Sequence, residues 1–281
     1  MNVRGSWITF AAGLLLLACV AATLTPTLAP TPTPAPTTTP APTQPPPPTA
    51  TAAPVDTGWL PVTPGMERRQ LPVSTPLGDE RVTLVRLNPA QFTLRVRMTP
   101  GDARTVRAWS DATEARLTVN AGYFDENDRP LGLLVADGQR VGSSYADFAG
   151  MLAVPAAGEA DVRWLRDRPY DPQEPLLQAV QSFPVLVKPG GVMGFPADAD
   201  EGQVSRRLVV AQDGAGRLIF LIAPRGYFGL HLLAQWLVAS DLDVDVALNL
   251  DGGNSAGLWL RDVPPAQIDS LVGVPVVITV E

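Results

Sequence analysis

Apolar and polar residues alternate along much of this chain beyond residue 80. Phe92, Leu94, Val96 and Met98 are interleaved with Thr93, Arg95 and Arg97, the period-two pattern of a strand with one wet face. Leu242, Val244, Val246, Leu248 and Leu250 repeat it, which predicts that Asp243, Asp245, Ala247, Asn249 and Asp251 share the opposite face. Shorter apolar runs predict strands over residues 82–87, 117–124, 131–136, 139–141, 151–154, 162–165, 184–187, 208–211, 218–222, 257–261 and 274–280. Asp137-Gly138 between two of these runs is a hairpin signal. Residues 59–70, broken by Pro61, Pro64 and Gly65, read as an irregular lead-in, and residues 170–175 read as a loop. Two stretches carry helical spacing instead: 105–114, with Val106, Trp109 and Thr113 on one face, and Leu230, Leu233, Ala234, Leu237 and Val238. The expectation is an α+β fold of mixed, mostly antiparallel sheets with a few helices in a single globular domain.

The first 55 residues follow different rules. Arg4 precedes an apolar run from Trp7 to Val20, too short to span a membrane comfortably and flanked like a secretory signal. It ends in Leu16-Leu17-Ala18-Cys19, which matches the bacterial lipobox, where the signal is cut before a cysteine that is then acylated. Cys19 is the single cysteine of the chain. The expected product is a bacterial lipoprotein held at the cell membrane, outside the cytoplasm, by lipidated Cys19, after a signal over 1–19. A plain signal peptide and secretion is the alternative, and an uncleaved anchor is a third. Residues 20–55 are almost entirely Pro, Thr and Ala, with no charge and no apolar period, so they cannot bury a core. As polyproline II at about 3.1 Å per residue, this linker would reach roughly 100 Å. The folded domain is then expected over 56–281.

Composition narrows what that domain does. Formal net charge is −7, and every charged residue except Arg4 lies beyond residue 55. An acidic domain lacks the basic footprint that nonspecific nucleic-acid binding needs. With no cysteine in the domain and one histidine in the chain, thiol catalysis, disulfides and multi-histidine zinc sites are excluded. His231 lies at the border of an apolar helix face and is not favoured as a catalytic base.

Candidate chemistry gathers at Ala247-Leu248-Asn249-Leu250-Asp251-Gly252-Gly253-Asn254-Ser255. A strand ending in an amide and a carboxylate is followed by two glycines, which allow close backbone approach to a ligand, and by two further polar side chains. The same residues also suit a strand–turn–strand in which Asp-Gly-Gly is only turn chemistry. Asn120-Ala121-Gly122-Tyr123-Phe124-Asp125 is a second cluster, with rings to stack on a sugar and Asn and Asp to bond its hydroxyls. It reads equally as a strand end with a buried Tyr-Phe pair. Ser205-Arg206-Arg207 sits before a strand, where a guanidinium can bind phosphate oxygens or simply remain solvated.

Taken in order, these segments resemble the phosphodiester glycosidase family. The resemblance rests on Asn120-Ala121-Gly122-Tyr123-Phe124, Gly132-Leu133-Leu134 with Asp137-Gly138, Pro184-Val185-Leu186-Val187, Ser205-Arg206 and the stretch from Ala247 to Ser255. The chain departs from the family at Asn254, where a third glycine is usual, and at Arg207, where threonine or a small residue is frequent. The resemblance implies hydrolysis of a glycosyl phosphodiester, with a carbohydrate-phosphate substrate. In that reading Asp251 is nucleophile or general base, Arg206 holds the phosphate, and Asn120 and Asn249 bond sugar hydroxyls. Tyr123 stacks or orients, Asp125 is a second carboxylate, and Gly252, Gly253, Asn254 and Ser255 line the substrate. No cofactor is implied. A divalent cation at Asp251, or among Asp241, Asp243 and Asp245, is left open, the last three lacking a calcium-loop glycine and reading as a solvated face. The competing reading is a non-catalytic envelope module that binds a sugar or phosphate polymer in the same pocket. A third is a structural protein in which the motifs only make turns. Oligomeric state is not legible.

Overall fold

A computed structural model describes residues 55–281. The signal, Cys19 and nearly all of the Pro/Thr-rich linker lie outside the described residues. Three sheets and two α-helices make up the described chain. Every strand pair in it is antiparallel.

The largest sheet has eight strands, in spatial order Leu60–Thr63, Met66–Thr75, Gly78–Leu87, Leu218–Phe228, Ser205–Asp213, Val244–Asn249, Val185–Lys188 and Val192–Met193. A five-stranded sheet runs Gln139–Val141, Leu134–Ala136, Leu176–Ser182, Gly150–Pro155, Asp161–Trp164. The other five-stranded sheet runs Gln267–Ile268, Leu258–Leu260, Leu117–Asn120, Val276–Val280, Leu94–Met98.

Alternation sorts the side chains into two cores. Leu208 and Val210 turn to a core shared by all three sheets, with Val119, Val180, Leu248 and Ile278. Val209 and Ala211, one residue out of phase, turn to the other face of the eight-stranded sheet and pack under α2 (Leu230–Ala239) through Leu233 and Leu237. The other helix, α1 (Val106–Thr113), lays Val106 and Trp109 on Val274 and Val277. Its boundaries follow from its sequence. The Thr105 hydroxyl accepts from Ala108 N as N-cap, and Glu114 ends the helix in the left-handed region at φ 56.

The hairpin at Asp137-Gly138 forms as expected, both residues having positive φ, as a type I′ turn requires. Three expectations need correction. Residues 59–70 are not an irregular lead-in: Leu60–Thr63 and Met66–Thr75 are strands, the second paired with Gly78–Leu87 from Met66 to Thr75. Pro72 does not interrupt it, because beyond Gln70, which bonds Thr57, this strand is paired on one side only. A strand at Leu176–Ser182 is absent from the sequence reading, yet it is the centre of its sheet. Its pattern is masked by two buried glutamines, Gln178 and Gln181. Finally, the period-two run does not extend from Leu242 to Leu250. Leu242 and Val244 pack under α2, whereas Val246, Leu248 and Leu250 face the three-sheet core. The register shift that opposes Gln212 to Val246 but Asp213 to Val244 moves the phase at Asp245.

Candidate active site

The loop after Asn249 is where the sequence motifs meet. The strand Val244–Asn249 lies between Ser205–Asp213 and Val185–Lys188, buried on both faces. As it leaves the sheet, Leu250 N donates to Leu208 O at 2.9 Å and Asp251 N donates to Ala121 O at 3.1 Å. The next residues form a single 3-10 turn over Gly253–Ser255. Both glycines are required. A Cβ on Gly252 would lie 2.8 Å from Arg206 O, and Gly253 has φ 57 and sits over Ser205 Oγ. The Gly-Gly loop therefore packs directly on the Ser205-Arg206 backbone.

Asn120 fastens this loop from the other side. Its Nδ2 donates to Asp251 O at 2.8 Å and its Oδ1 accepts from Gly257 N at 2.9 Å. The side chain is 1% exposed. The sequence reading put this amide on a sugar hydroxyl. Both ends of it are instead spent on the chain, so Asn120 shapes the loop that carries Asp251.

Asp251 is largely buried, and burial pushes its carboxyl up to about 6 from 3.8, opposed by hydrogen bonds from Ser255 and from the Gly252 amide. Tyr123 stands nearby. Burial, with the Asp251 charge second, raises its phenol well above the ordinary range, opposed by the Arg207 charge and a hydrogen bond from Asn249. Asn249 Nδ2 donates to Tyr123 Oη at 2.9 Å, to Phe183 O at 3.0 Å and to Leu250 O at 2.8 Å. Its Oδ1 is buried with no protein partner. Phenol and amide are thus hydrogen-bonded to each other within reach of the Asp251 charge, and the unpartnered oxygen is a free acceptor beside them.

The two arginines take different surroundings. Arg206 donates from Nη2 to Asp269 O at 2.8 Å, and its buried Nε has no protein partner. Burial lowers its pKa, opposed by the charges of Asp269 and Glu80. Glu80, fully buried, receives Arg81 N, Arg225 N and Tyr227 N at 2.9, 3.0 and 3.1 Å. It thereby fixes the irregularity where Ser205 opposes Phe228 but Arg207 opposes Ala223. Arg207 points its Nε at Phe228 O and its Nη2 at Gln203 O. It is Arg207 whose charge acts on the Tyr123 phenol, a contribution that its place in the sequence does not announce.

Other expected site residues fall differently. Asp125 accepts from Asn127 N at 2.8 Å and Arg129 N at 2.9 Å, which closes its own turn and lowers its pKa. Both bonds use Oδ1, so that oxygen is committed to the loop and Oδ2 is left for any other partner. Asn254 is exposed, and its carbonyl accepts from Leu271 N. Ser255 is buried beside Asp251. His231 bonds Phe195 O through Nδ1, and its backbone N donates to Asp200, a structural role. Asp241 pairs with Arg69 and Asp245 accepts from Gly190 N. Among the described residues no group of three or more His, Cys, Asp or Glu is arranged to hold a metal ion.

Known proteins give the fold a context. The catalytic domain of zebrafish N-acetylglucosamine-1-phosphodiester alpha-N-acetylglucosaminidase, auto-inhibited by its pro-peptide, superposes with a TM-score of 0.62 at 19% identity, over 79% of this chain and 85% of that one. A hypothetical protein from Synechocystis superposes with a TM-score of 0.59 at 17% identity, over 82% of this chain and 64% of that one. No curated protein matches the sequence. Residues 113–280, which carry the segments from Asn120 to Ser255, match the phosphodiester glycosidase family. The chain belongs to that family.

Proposed function

We propose that this protein hydrolyses a glycosyl phosphodiester at the site centred on Asp251. The observation that carries the reading is a buried carboxylate, raised to about 6, on a Gly-Gly loop packed against Ser205-Arg206. A group of that pKa is mostly ionised at neutral pH yet still exchanges protons readily, which suits a nucleophile or general base. In the reaction the bond from the anomeric carbon to the phosphate oxygen breaks, and its electron pair leaves with the phosphate. Water supplies the oxygen of the new sugar hydroxyl, and its other proton passes to Asp251 and then to solvent or product. The leaving group is a phosphate monoester, so it needs less protonation than a sugar alkoxide, and a second catalytic carboxylate is less necessary.

In this reading Arg206 offers its unpartnered Nε, and the Gly252 and Gly253 loop its backbone, to the phosphate. Asn249 Oδ1 accepts from a sugar hydroxyl, and Tyr123 holds that amide in place. Asn254 lies at the rim. Asn120 and Asp125 shape their loops. No metal step is invoked.

A turnover assay on a panel of sugar 1-phosphodiesters, reading release of free sugar and phosphate monoester together, tests the proposal. Arg206→Ala is expected to raise KM or lower kcat/KM roughly 100-fold, the scale of one charge-assisted phosphate contact of about 3 kcal/mol. Binding of the panel without turnover would instead assign the site to a non-catalytic module.

The reading extends to location. Leu16-Leu17-Ala18-Cys19 and the Pro/Thr-rich linker support a domain that works outside the cytoplasm, tethered through acylated Cys19. In a bacterial host, radiolabelled palmitate is expected to enter the full-length chain and to be lost in Cys19→Ala. Equal labelling of the two would remove the anchor from the proposal.

A further inference from the structure

Beside the phenol of Tyr123 lies a cavity of about 650 Å³ that the hydrolytic step leaves unused. Its walls are Tyr123, Leu131, Tyr145, Phe148 and Phe183, with two serines and the Pro130 and Gly132 backbone completing it. No ionisable acid or base of the Asp, Glu, Lys, Arg or His type lines it. The rings form a continuous wall. Tyr123 and Phe183 are 4.8 Å apart between centroids, Phe183 and Phe148 4.4 Å, and Phe148 and Tyr145 5.0 Å.

Three of these side chains are exposed although large and apolar: Tyr145 at 51%, Leu131 at 45% and Phe183 at 38%. Isolated exposed apolar residues are ordinary, but three gathered on one concave surface mark a binding site. The wall is also built in advance. Gln181, buried in the central strand of its sheet, accepts from Tyr145 N at 3.0 Å and donates to Tyr145 O and Phe148 O, both at 2.9 Å. It thus clasps the loop that carries two of the rings.

The cavity shares two residues with the candidate active site. Tyr123 lines it with its ring, while its hydroxyl receives Asn249 Nδ2. Phe183 lines it with its ring, while its carbonyl receives both Asn249 Nδ2 and the Tyr123 hydroxyl. The end of a phosphodiester at Asp251 that extends past Tyr123 and Phe183 would meet this wall.

Which end follows from hydrogen bonding. Tyr123 Oη is occupied by Asn249 and Phe183. A sugar ring in the cavity would meet few side-chain partners, two serines and the Tyr145 hydroxyl, at a cost of about 1–3 kcal/mol for each sugar hydroxyl buried unpaired. An apolar chain needs no partners. A phosphate would meet no cation. We infer that this cavity binds the apolar portion of the alcohol esterified to the phosphate, so that the preferred substrates are sugar phosphodiesters of a long-chain or isoprenoid-like alcohol. The inference deepens the proposed hydrolysis and, as a statement about substrate, rests on it.

Binding of decyl phosphate against methyl phosphate, by titration calorimetry below the micellar concentration, tests the cavity without requiring turnover. Decyl phosphate is expected to bind roughly tenfold or more tightly than methyl phosphate, since each buried methylene contributes. Tyr145→Ser and Leu131→Ser are each expected to lose most of that difference, while Val238→Ser, an exposed apolar residue on α2, keeps it. Equal affinity for the two phosphates overturns the inference. So does a decyl preference that survives both cavity variants, which would be detergent-like adsorption. Tighter binding of a disaccharide, lost in those variants, would hand the cavity to a sugar ring and overturn it as well. A panel without any turnover would remove the hydrolytic reading and leave this binding result standing or falling by itself.

Discussion

Asp251→Asn is expected to abolish turnover and, at neutral pH, to make the protein more stable. Both effects come from the same burial. If Asp251 attacks or deprotonates, the neutral amide can do neither, and kcat should fall by about 10³-fold or more. The stability effect follows from proton linkage. The folded carboxyl titrates near 6 and the unfolded one near 3.8, so between those values the folded state binds more protons than the unfolded. Stability from this group is therefore highest below about 3.8, falls as pH rises, and reaches its full penalty above about 6. A shift of that size corresponds to about 3 kcal/mol at neutral pH. The amide escapes the ionisation penalty but loses part of what Ser255 and Gly252 give the carboxylate, so a net gain of about 1–2 kcal/mol is expected at pH 7.5. At pH 4 parent and variant should unfold alike. Chemical denaturation at both pH values checks this, and a variant less stable than the parent at pH 7.5 would mean that Asp251 is not paying for its burial. In the parent, kcat/KM should fall as pH drops through about 6, because the carboxyl then takes up its proton.

Asn120 should give the opposite signature, a loss of both stability and activity. Asn120→Ala leaves Gly257 N and Asp251 O without their side-chain partner in a site that is 1% exposed at Asn120. Two such losses come to about 2–4 kcal/mol, and the backbone that aims Asp251 is freed at the same time. Asn120→Asp separates the two bonds, since a carboxylate can still accept from Gly257 N but cannot donate to Asp251 O. Thermal melts with turnover on the same samples would check this. Wild-type kcat in a well-folded Asn120→Asp protein would show that the Asp251 carbonyl does not need to be held.

The motifs that build the site were legible because each is local chemistry. Asp251-Gly252-Gly253 announces a tight loop, Ser205-Arg206 a charge at a strand start, and Asn120 a polar residue at a strand end. Their roles were less legible, because a role depends on who else is present. Asn120 and Asp125 carry the right groups for sugar recognition, but Gly257, Asn127 and Arg129 backbone amides reach them first. The strand at Leu176–Ser182 was invisible for a related reason. Gln178 and Gln181 look like surface residues until the backbone groups that satisfy them are known. The phase change at Asp245 is a property of pairing with Gln212 and Asp213, which no window within the strand itself contains.

The sheet order has a consequence for how this domain behaves at high local concentration. Each sheet ends in short strands, from the two residues of Val192–Met193 and Gln267–Ile268 to the five of Leu94–Met98. A short edge offers another chain few free backbone groups to pair with. A further open flank belongs to Met66–Thr75 beyond Gln70, and there Pro72 has no N–H to give. Copies of an all-antiparallel protein crowded together thus meet edges that resist strand-by-strand joining, and they can stand side by side without fusing their sheets.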